Sequence, residues 1–235
     1  MIENRIILAA NAMKISITDD AAQKIARFDA LLREGNTKMN LTRGMDDPIE
    51  ACDRHYLDAL SILQTDAFPK GMRSLIDVGA GAGLPGIVLA CAMPDVRITL
   101  LDSLNKRVGF MNDVIKELSL NAQAIHARAE EAGQSAAMRE KFDCATSRAV
   151  ARLNVLCEWT LPFVRVGGRL CAYKGPTCAE EAEEAKHALS VLGADEGRML
   201  DVVIPERDWN HVIFVAEKTT ATPKAYPRKG GKKPL

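Results

Sequence analysis

The chain has 235 residues, 47% of them hydrophobic and 26% charged, with 31 basic and 31 acidic side chains that cancel. That length holds one well-buried α/β domain plus an appendage and excludes two full domains, and the composition excludes a disordered chain. The longest apolar runs, such as residues 87–93, fall far short of a membrane span, and the run at 6–10 lacks a cleavage-type ending, so a cytoplasmic protein without a signal peptide is expected.

Taken in chain order, the first predicted element is a helix capped by Thr18 or Asp19. Its buried stripe is Ala22, Ile25, Phe28 and Leu32, and Gly35-Asn36 is expected to stop it. A second helix has Asp47 as cap and Pro48 at its first position, and Ile49, Cys52, Tyr56, Ala59, Leu60 and Leu63 follow the 3.6-residue period. Residues 1–68 therefore read as an N-terminal helical cap, broken at Phe68-Pro69-Lys70-Gly71. Strand-length apolar runs follow at 74–78, 97–101, 122–126, 142–146 and 169–173, separated by helix-period segments, with Gly167-Gly168 turning into the fifth. Such alternation predicts a parallel sheet covered on both faces by right-handed crossovers. Two last runs, 200–204 and 211–217, are joined by a link too short for a crossover, so they should pair antiparallel. Five parallel strands closed by an antiparallel hairpin give a seven-stranded, Rossmann-like α/β sheet of the class I S-adenosylmethionine methyltransferase type. The domain is expected to span 69–218.

The richest segment is the run from Leu75 through Asp77-Val78-Gly79-Ala80-Gly81-Ala82-Gly83-Leu84-Pro85-Gly86. A buried strand here enters a glycine-rich turn that opens a helix at the carboxyl edge of the sheet, where doubly wound folds bind ligands. Glycines let a ligand approach the backbone, and the helix amides attract an anionic group. Gly81, Gly83 and Gly86 satisfy the dinucleotide pattern, which is weak alone. The frame Asp77, Gly79, Gly81, Gly83 instead matches the first motif of S-adenosylmethionine enzymes. A carboxylate just ahead of a pyrophosphate would be unfavourable, so Asp77 favours S-adenosyl-L-methionine over a nicotinamide dinucleotide. Asp102, at the end of the second strand, is placed to accept hydrogen bonds from ribose hydroxyls or to cap the next helix. Arg128-Ala129-Glu130-Glu131, after the third strand, is either an adenine-side contact or an acidic first turn.

Lys106 and Arg107 sit in a first helical turn, where the helix dipole disfavours positive charge, which points to an anionic partner or to solvated surface. Arg148 follows the fourth strand and Lys174 the fifth, so four basic residues share one rim and indicate a polyanion better than any one alone. His126 and His187 read as surface or strand-end residues, and the six cysteines (Cys52, Cys91, Cys144, Cys157, Cys171 and Cys178) lack ligand spacing, so no metal is expected. Residues 218–235 carry six basic residues (Lys218, Lys224, Arg228, Lys229, Lys232 and Lys233) and no acidic one. This basic C-terminal tail, 219–235, is rich in Pro and Gly and is expected to form no core; it reads as a solvated end or a phosphate-binding arm.

With these residues in view, the chain closely resembles the bacterial small-subunit ribosomal RNA guanine-N7 methyltransferases, also called the glucose-inhibited division protein B family. The resemblance runs from about Asn36 onward. It rests on Asn40-Leu41-Thr42, Arg54-His55 with Asp58, the glycine loop with Leu84-Pro85-Gly86, Leu101-Asp102-Ser103 with Lys106-Arg107, Arg128-Ala129-Glu130, Ser147-Arg148-Ala149, Lys174-Gly175 and Tyr226-Pro227-Arg228-Lys229. It implies S-adenosyl-L-methionine at Asp77, Gly79, Gly81, Leu84, Asp102, Ala129, Glu130 and Arg148. It also implies methyl transfer to N7 of a guanine in the decoding-region loop of 16S rRNA, with the small ribosomal subunit as partner. Arg148 and Lys174 are expected to orient the base, and Arg54, His55, Lys106, Arg107, Arg128, Arg228 and Lys229 to contact RNA. A monomer is expected. The alternatives are a methyltransferase acting on another RNA or a protein, a non-catalytic rRNA-binding protein and, least favoured by the residues, a nicotinamide-dependent oxidoreductase.

Overall fold

Alternating apolar segments in the second part of the chain form a parallel run of strands, β1 (Ser74–Val78), β2 (Arg97–Asp102), β3 (Ala122–His126), β4 (Phe142–Arg148) and β5 (Val164–Lys174), followed by β6 (Arg198–Asp201) and β7 (Val212–Glu217). The computed structural model describes residues 2–230 and 234–235. The sheet order is β3-β2-β1-β4-β5-β7-β6, with β7 antiparallel to β6, as the short link between the last two runs predicts, and also to β5. The chain moves outward from β1 through β2 to β3 and then crosses back to β4. The β1/β4 junction is therefore the topological switch point, where the carboxyl ends of the strands open a crevice.

Alternate strand residues enter opposite layers. Leu75, Ile98, Cys144 and Val215 join one buried cluster, and Ile76, Leu101, Ala145 and Phe214 join the other. The second layer is covered by α8 (Leu153–Thr160) and α9 (Cys178–Leu192), the first by α5 (Gly86–Ala92), α6 (Asn105–Glu117) and the N-terminal helices. All six cysteines are buried free thiols, and burial pushes those of Cys52, Cys91 and Cys157 up to about 12.

Several strand edges differ from the sequence expectation, two of them for visible reasons. Gly167-Gly168 lies inside β5 rather than before it, with a register irregularity opposite Phe142 and Cys144. β6 ends at Asp201 instead of 204, because Gln64 takes over the Val203 backbone, donating to its carbonyl at 3.0 Å and accepting from its N–H at 3.4 Å.

The N-terminal helices pack into the same cluster as the sheet. An unanticipated helix, α1 (Ile2–Ala12), precedes α2 (Asp19–Lys38), whose Thr18 cap accepts from Ala21 N at 3.2 Å and whose predicted stripe is buried. Gly35 does not end α2. A Cβ there would lie 2.8 Å from Phe110 Cε2, so this glycine permits close packing against α6 inside a helix that runs on to Lys38. Asn36 shapes the exit, its carboxamide oxygen accepting from Leu41 N and Thr42 N at 2.8 and 3.0 Å. Next, Asp47 caps α3 (Pro48–Ala51), which runs into a π-helical turn (Cys52–Leu57), α4 (Asp58–Leu60) and a 3₁₀ turn (Ser61–Gln64). The wider turn breaks the 3.6-residue period. Ile49 is thereby left 49% exposed, while Asp53 and His55 join the predicted Tyr56 in turning inward.

Fully buried Asp53 ties three segments together, pairing with Arg5 Nε at 2.6 Å and Arg207 Nε at 2.7 Å. Asp53→Ala leaves two guanidiniums facing one another with only the exposed Glu206, 3.4 Å from Arg5, as counter-charge. It is expected to lower unfolding free energy by roughly 2–4 kcal/mol, read as a fall in the urea midpoint at unchanged m-value.

Candidate active site

The loop after β1 is held by its backbone. Gly79 N and Ala80 N both donate to Leu101 O, at 2.8 and 3.0 Å, which docks the turn on the end of β2. Gly79 has φ +74°, a conformation costly for other residues, and a Cβ on it would lie 2.6 Å from Val150 Cγ2. Two carboxylates brace the turn from below. Asp102 Oδ2 accepts from Gly81 N at 2.8 Å and its Oδ1 from Leu104 N at 2.9 Å, while Asp77 Oδ2 accepts from Gly86 N at 2.9 Å. A Cβ on Gly86 would lie 2.2 Å from Leu100 Cδ2 and 2.8 Å from Asp77 Oδ2, so only glycine lets the helix start this close to β1 and β2.

Beside this loop lies a cavity of about 370 Å³. Gly79, Asp102, Ala129 and Glu130 line it as expected of cofactor contacts, joined by Ser103, Leu104, Arg107, Arg128, Val150 and Trp159. The lining suits S-adenosyl-L-methionine: Leu104, Val150 and Trp159 offer apolar surface for a purine, and the buried carboxylates of Asp102 and Glu130 suit hydroxyls and positive charge. Four expected contacts do not line it. Asp77 braces the loop from beneath, Gly81 is tied through its N–H to Asp102, Leu84 is buried in the core cluster, and Arg148 lines a neighbouring cavity. Burial pushes the Asp77 carboxyl up to about 7, against the opposing Gly86 hydrogen bond, and its Oδ1 has no hydrogen-bond partner.

A second, wider cavity of about 700 Å³ opens on the other side of Ala149 and Val150, which line both. Its walls carry the basic residues Arg43, Arg54, Arg148, Arg152 and Lys174 against the acidic pair Asp58 and Glu181, an excess suited to a polyanion. Arg148, expected at the cofactor, belongs here. Its Nη1 donates to Asp58 Oδ2 at 2.7 Å and to Arg54 O at 3.1 Å, and Asp58 Oδ1 lies 2.8 Å from His211 Nδ1. Burial opposes ionisation of Asp58, but His211 and Arg148 outweigh it and hold the carboxyl below the usual range. His55 lines the same cavity with Nε2 2.9 Å from Arg43 O, and burial with the nearby Arg148 lowers its pKa. A neutral ring that donates from Nε2 to that carbonyl presents Nδ1 as a lone pair. Lys174 also lines this cavity, but its ammonium is spent on Glu181 at 2.6 Å and Ala151 O at 2.8 Å, so it is a buried brace rather than a free phosphate contact.

The remaining expected RNA contacts lie elsewhere. Arg107 is 3.7 Å from Asp102 and Arg128 3.3 Å from Glu130, both at the first cavity. Lys106 faces α2, near Glu34 and Lys38. The acidic Asp102, whose Oδ1 accepts the Leu104 N–H, sits at this helix start and offsets the dipole penalty that pointed to an anionic ligand.

The tail is docked, contrary to the reading as a coreless arm. Lys218 is fully buried, its ammonium donating to Leu161 O at 2.8 Å and Thr222 Oγ1 at 2.6 Å, and burial lowers its pKa to about 8. Arg139 donates to the carbonyls of Thr222, Pro223 and Tyr226, and Tyr226 packs on the second core cluster. Arg228 closes the strap on buried Glu158, with Nε and Nη2 at 2.9 and 2.6 Å from its two oxygens, so its charge is engaged within the protein. Lys229 is exposed, and Lys232 and Lys233 lie outside the described residues. Among the described residues no cluster of His, Cys, Asp and Glu could hold a metal, and no helix is long and apolar enough to cross a membrane.

Residues 21–209 match the family model described as rRNA small subunit methyltransferase G, GidB. The chain is 42% identical over 231 residues to the ribosomal RNA small subunit methyltransferase G of Clostridium perfringens, covering 97% of this chain and 96% of that protein. It is 44% identical over 234 residues to the protein of the same description from Brevibacillus brevis, with 97% and 96% covered. Among solved structures, the fold resembles the fibrillarin pre-rRNA processing protein of Methanococcus jannaschii, with TM-score 0.54 and 21% identity over 72% of this chain and 76% of that one. It also resembles Aeropyrum pernix fibrillarin with natively bound S-adenosyl-L-methionine, at TM-score 0.51 and 15% identity over 70% and 75% of the two chains.

Asp77 sets a pH dependence in the ligand-free chain. Its folded pKa of about 7 lies above the unfolded value of 3.8, so its favourable contribution is complete below pH about 4 and is lost as pH rises through 7. Asp77→Asn should therefore gain melting temperature relative to the parent at pH 8, with the difference shrinking towards pH 4. Arg228→Ala, which strands the Glu158 carboxylate, is expected to cost roughly 1–3 kcal/mol of stability in denaturant titrations and to leave the salt slope of rRNA binding unchanged.

Proposed function

This chain belongs to the rRNA small subunit methyltransferase G (GidB) family, and from that premise we propose that it transfers a methyl group from S-adenosyl-L-methionine to N7 of a guanine in the decoding-region loop of 16S rRNA. The observation that carries the reading is the junction of two cavities at Ala149 and Val150, one suited to the cofactor and the other walled by arginines. Gly79, Asp102, Ala129, Glu130 and Trp159 would hold the cofactor, which would supply an activated methyl on a sulfonium centre.

Guanine N7 carries an in-plane lone pair and no proton, so attack on that methyl needs no general base. The chain contributes position, which is worth several kcal/mol when reactants are aligned. A base in a folded RNA loop has to leave its stack to reach such a site. The cavity beside Arg148 is wide enough to receive it, and Ala149, with φ +57°, turns the chain between the two cavities. Arg148 is held by Asp58 on one side and can direct its remaining donors to guanine O6, the acceptor next to N7. Arg43, Arg54 and Arg152 supply the field that draws in phosphates.

The test is transfer of labelled methyl from S-adenosyl-L-methionine into small ribosomal subunits from a strain that lacks the gene, with nuclease mapping of the product. One 7-methylguanosine in the decoding-region loop is expected. Arg148→Lys, which keeps the charge and loses the fork, should reduce kcat/KM by about tenfold to a hundredfold. Label at another nucleotide, or none in subunits and in deproteinised rRNA, would overturn the assignment.

A further inference from the structure

Trp209 is not used by the reaction described above, and its setting is unusual. It lies in the link between β6 and β7, partly buried against the first core cluster and partly open. Two guanidiniums lie over its ring, Arg54 and Arg207, each with Cζ 5.4 Å from the centroid. The His211 ring lies 5.3 Å away, tilted at 32°, and adds a second ring beside the indole. Arg54 and His211 both line the arginine-walled cavity, whereas Trp209 does not, which puts the indole just outside its mouth.

The two arginines are held differently. Arg207 is anchored by the fully buried Asp53 at 2.7 Å. Arg54 pairs with Glu50 at 2.7 Å on the surface, both side chains about half exposed, an ion pair of little worth that salt and solvent exchange readily. The indole therefore has one fixed neighbour and one exchangeable one. Asp208 beside it is exposed, and Glu206 is turned to Arg5, so the two guanidiniums over the ring keep the setting cationic.

We propose that Trp209, with Arg54 and His211, is a stacking platform for an unpaired nucleotide next to the target base in the RNA. The inference rests on the rRNA reading above and deepens it. Bases stack on indole rings and on guanidinium planes regardless of sequence, and Arg54, released from the ring or carried on it, reaches the neighbouring phosphate. The platform would hold the flanking nucleotide outside the cavity while the target base enters, so it acts on RNA capture and not on the chemical step.

The experiment compares the full chain with Trp209→Phe and Trp209→Leu, using small ribosomal subunits as substrate and short single-stranded RNA as a fluorescence probe. Leucine keeps the apolar packing and lacks a π face, so a loss specific to it is not a folding effect; melting temperatures of both variants check this. Trp209→Leu should raise KM for subunits about tenfold at little changed kcat, and Trp209→Phe should stay within about threefold of the parent. RNA should quench emission in the parent and much less in Trp209→Phe, which retains Trp159 in the cofactor cavity as an internal control. Equal KM values for the leucine and phenylalanine variants, or equal quenching in the parent and Trp209→Phe, would overturn the platform. Quenching at Trp209 with no methyl transfer by the parent would overturn the methylation reading and leave the platform standing.

Discussion

The hydrogen bond from Gly81 N to the Asp102 carboxylate joins the loop after β1 to the end of β2, and the cofactor cavity depends on it. The glycines alone specify freedom, not shape. Shape comes from two buried carboxylates, Asp77 under the helix start and Asp102 under the turn, with Leu101 O taking the amides of Gly79 and Ala80. Asp102 is thus a structural acceptor with both oxygens engaged as well as a wall of the cavity. A group that serves both purposes resists substitution for two separate reasons.

The second cavity follows a different electrostatic plan. Its positive excess would be self-repelling if all its charges were free, and two acids moderate it. Asp58 holds Arg148 and His211 together, and Glu181 takes Lys174. The fixed pairs define where a base can lie, and the outer Arg43, Arg54 and Arg152, the last two in exposed ion pairs with Glu50 and Glu184, add their field at the rim. Position within the chain does not predict these partners, because Arg148 and Lys174 end adjacent parallel strands yet one takes its carboxylate from α4 and the other from α9.

Much of the architecture was legible in the sequence. Strand-helix alternation and the short link before β7 indicated five parallel strands closed by an antiparallel hairpin, and Asp47-Pro48 and Thr18 marked helix starts that the side-chain caps explain. What escaped has physical causes. The π-helical turn at Cys52–Leu57 shifts the buried face away from a 3.6-residue extrapolation, so the inward placement of Asp53 and His55 was invisible. The charge of the C-terminal segment was read as freedom, but Lys218 and Arg228 have buried acceptors supplied by residues 54–70 positions away, which no local pattern records. Likewise Lys106 and Arg107 are adjacent in sequence and face different surfaces, since neighbours on a helix diverge by about 100°. The motif Ser147-Arg148-Ala149 did point to the right edge of the sheet, but the partners Asp58 and His211 are brought there by the fold, from elements far apart in the chain.

In the proposed reaction the two cavities that meet at Ala149 and Val150 hold the cofactor on one side and a guanine on the other. A crystal structure with S-adenosylhomocysteine and guanosine monophosphate would resolve both. The nucleoside of S-adenosylhomocysteine is expected between Asp102, Glu130 and Trp159, and the guanine beside Arg148 with N7 turned towards the sulfur. Guanine bound away from Arg148, or N7 turned away from the sulfur with Ala149 and Val150 between them, would rule this arrangement out.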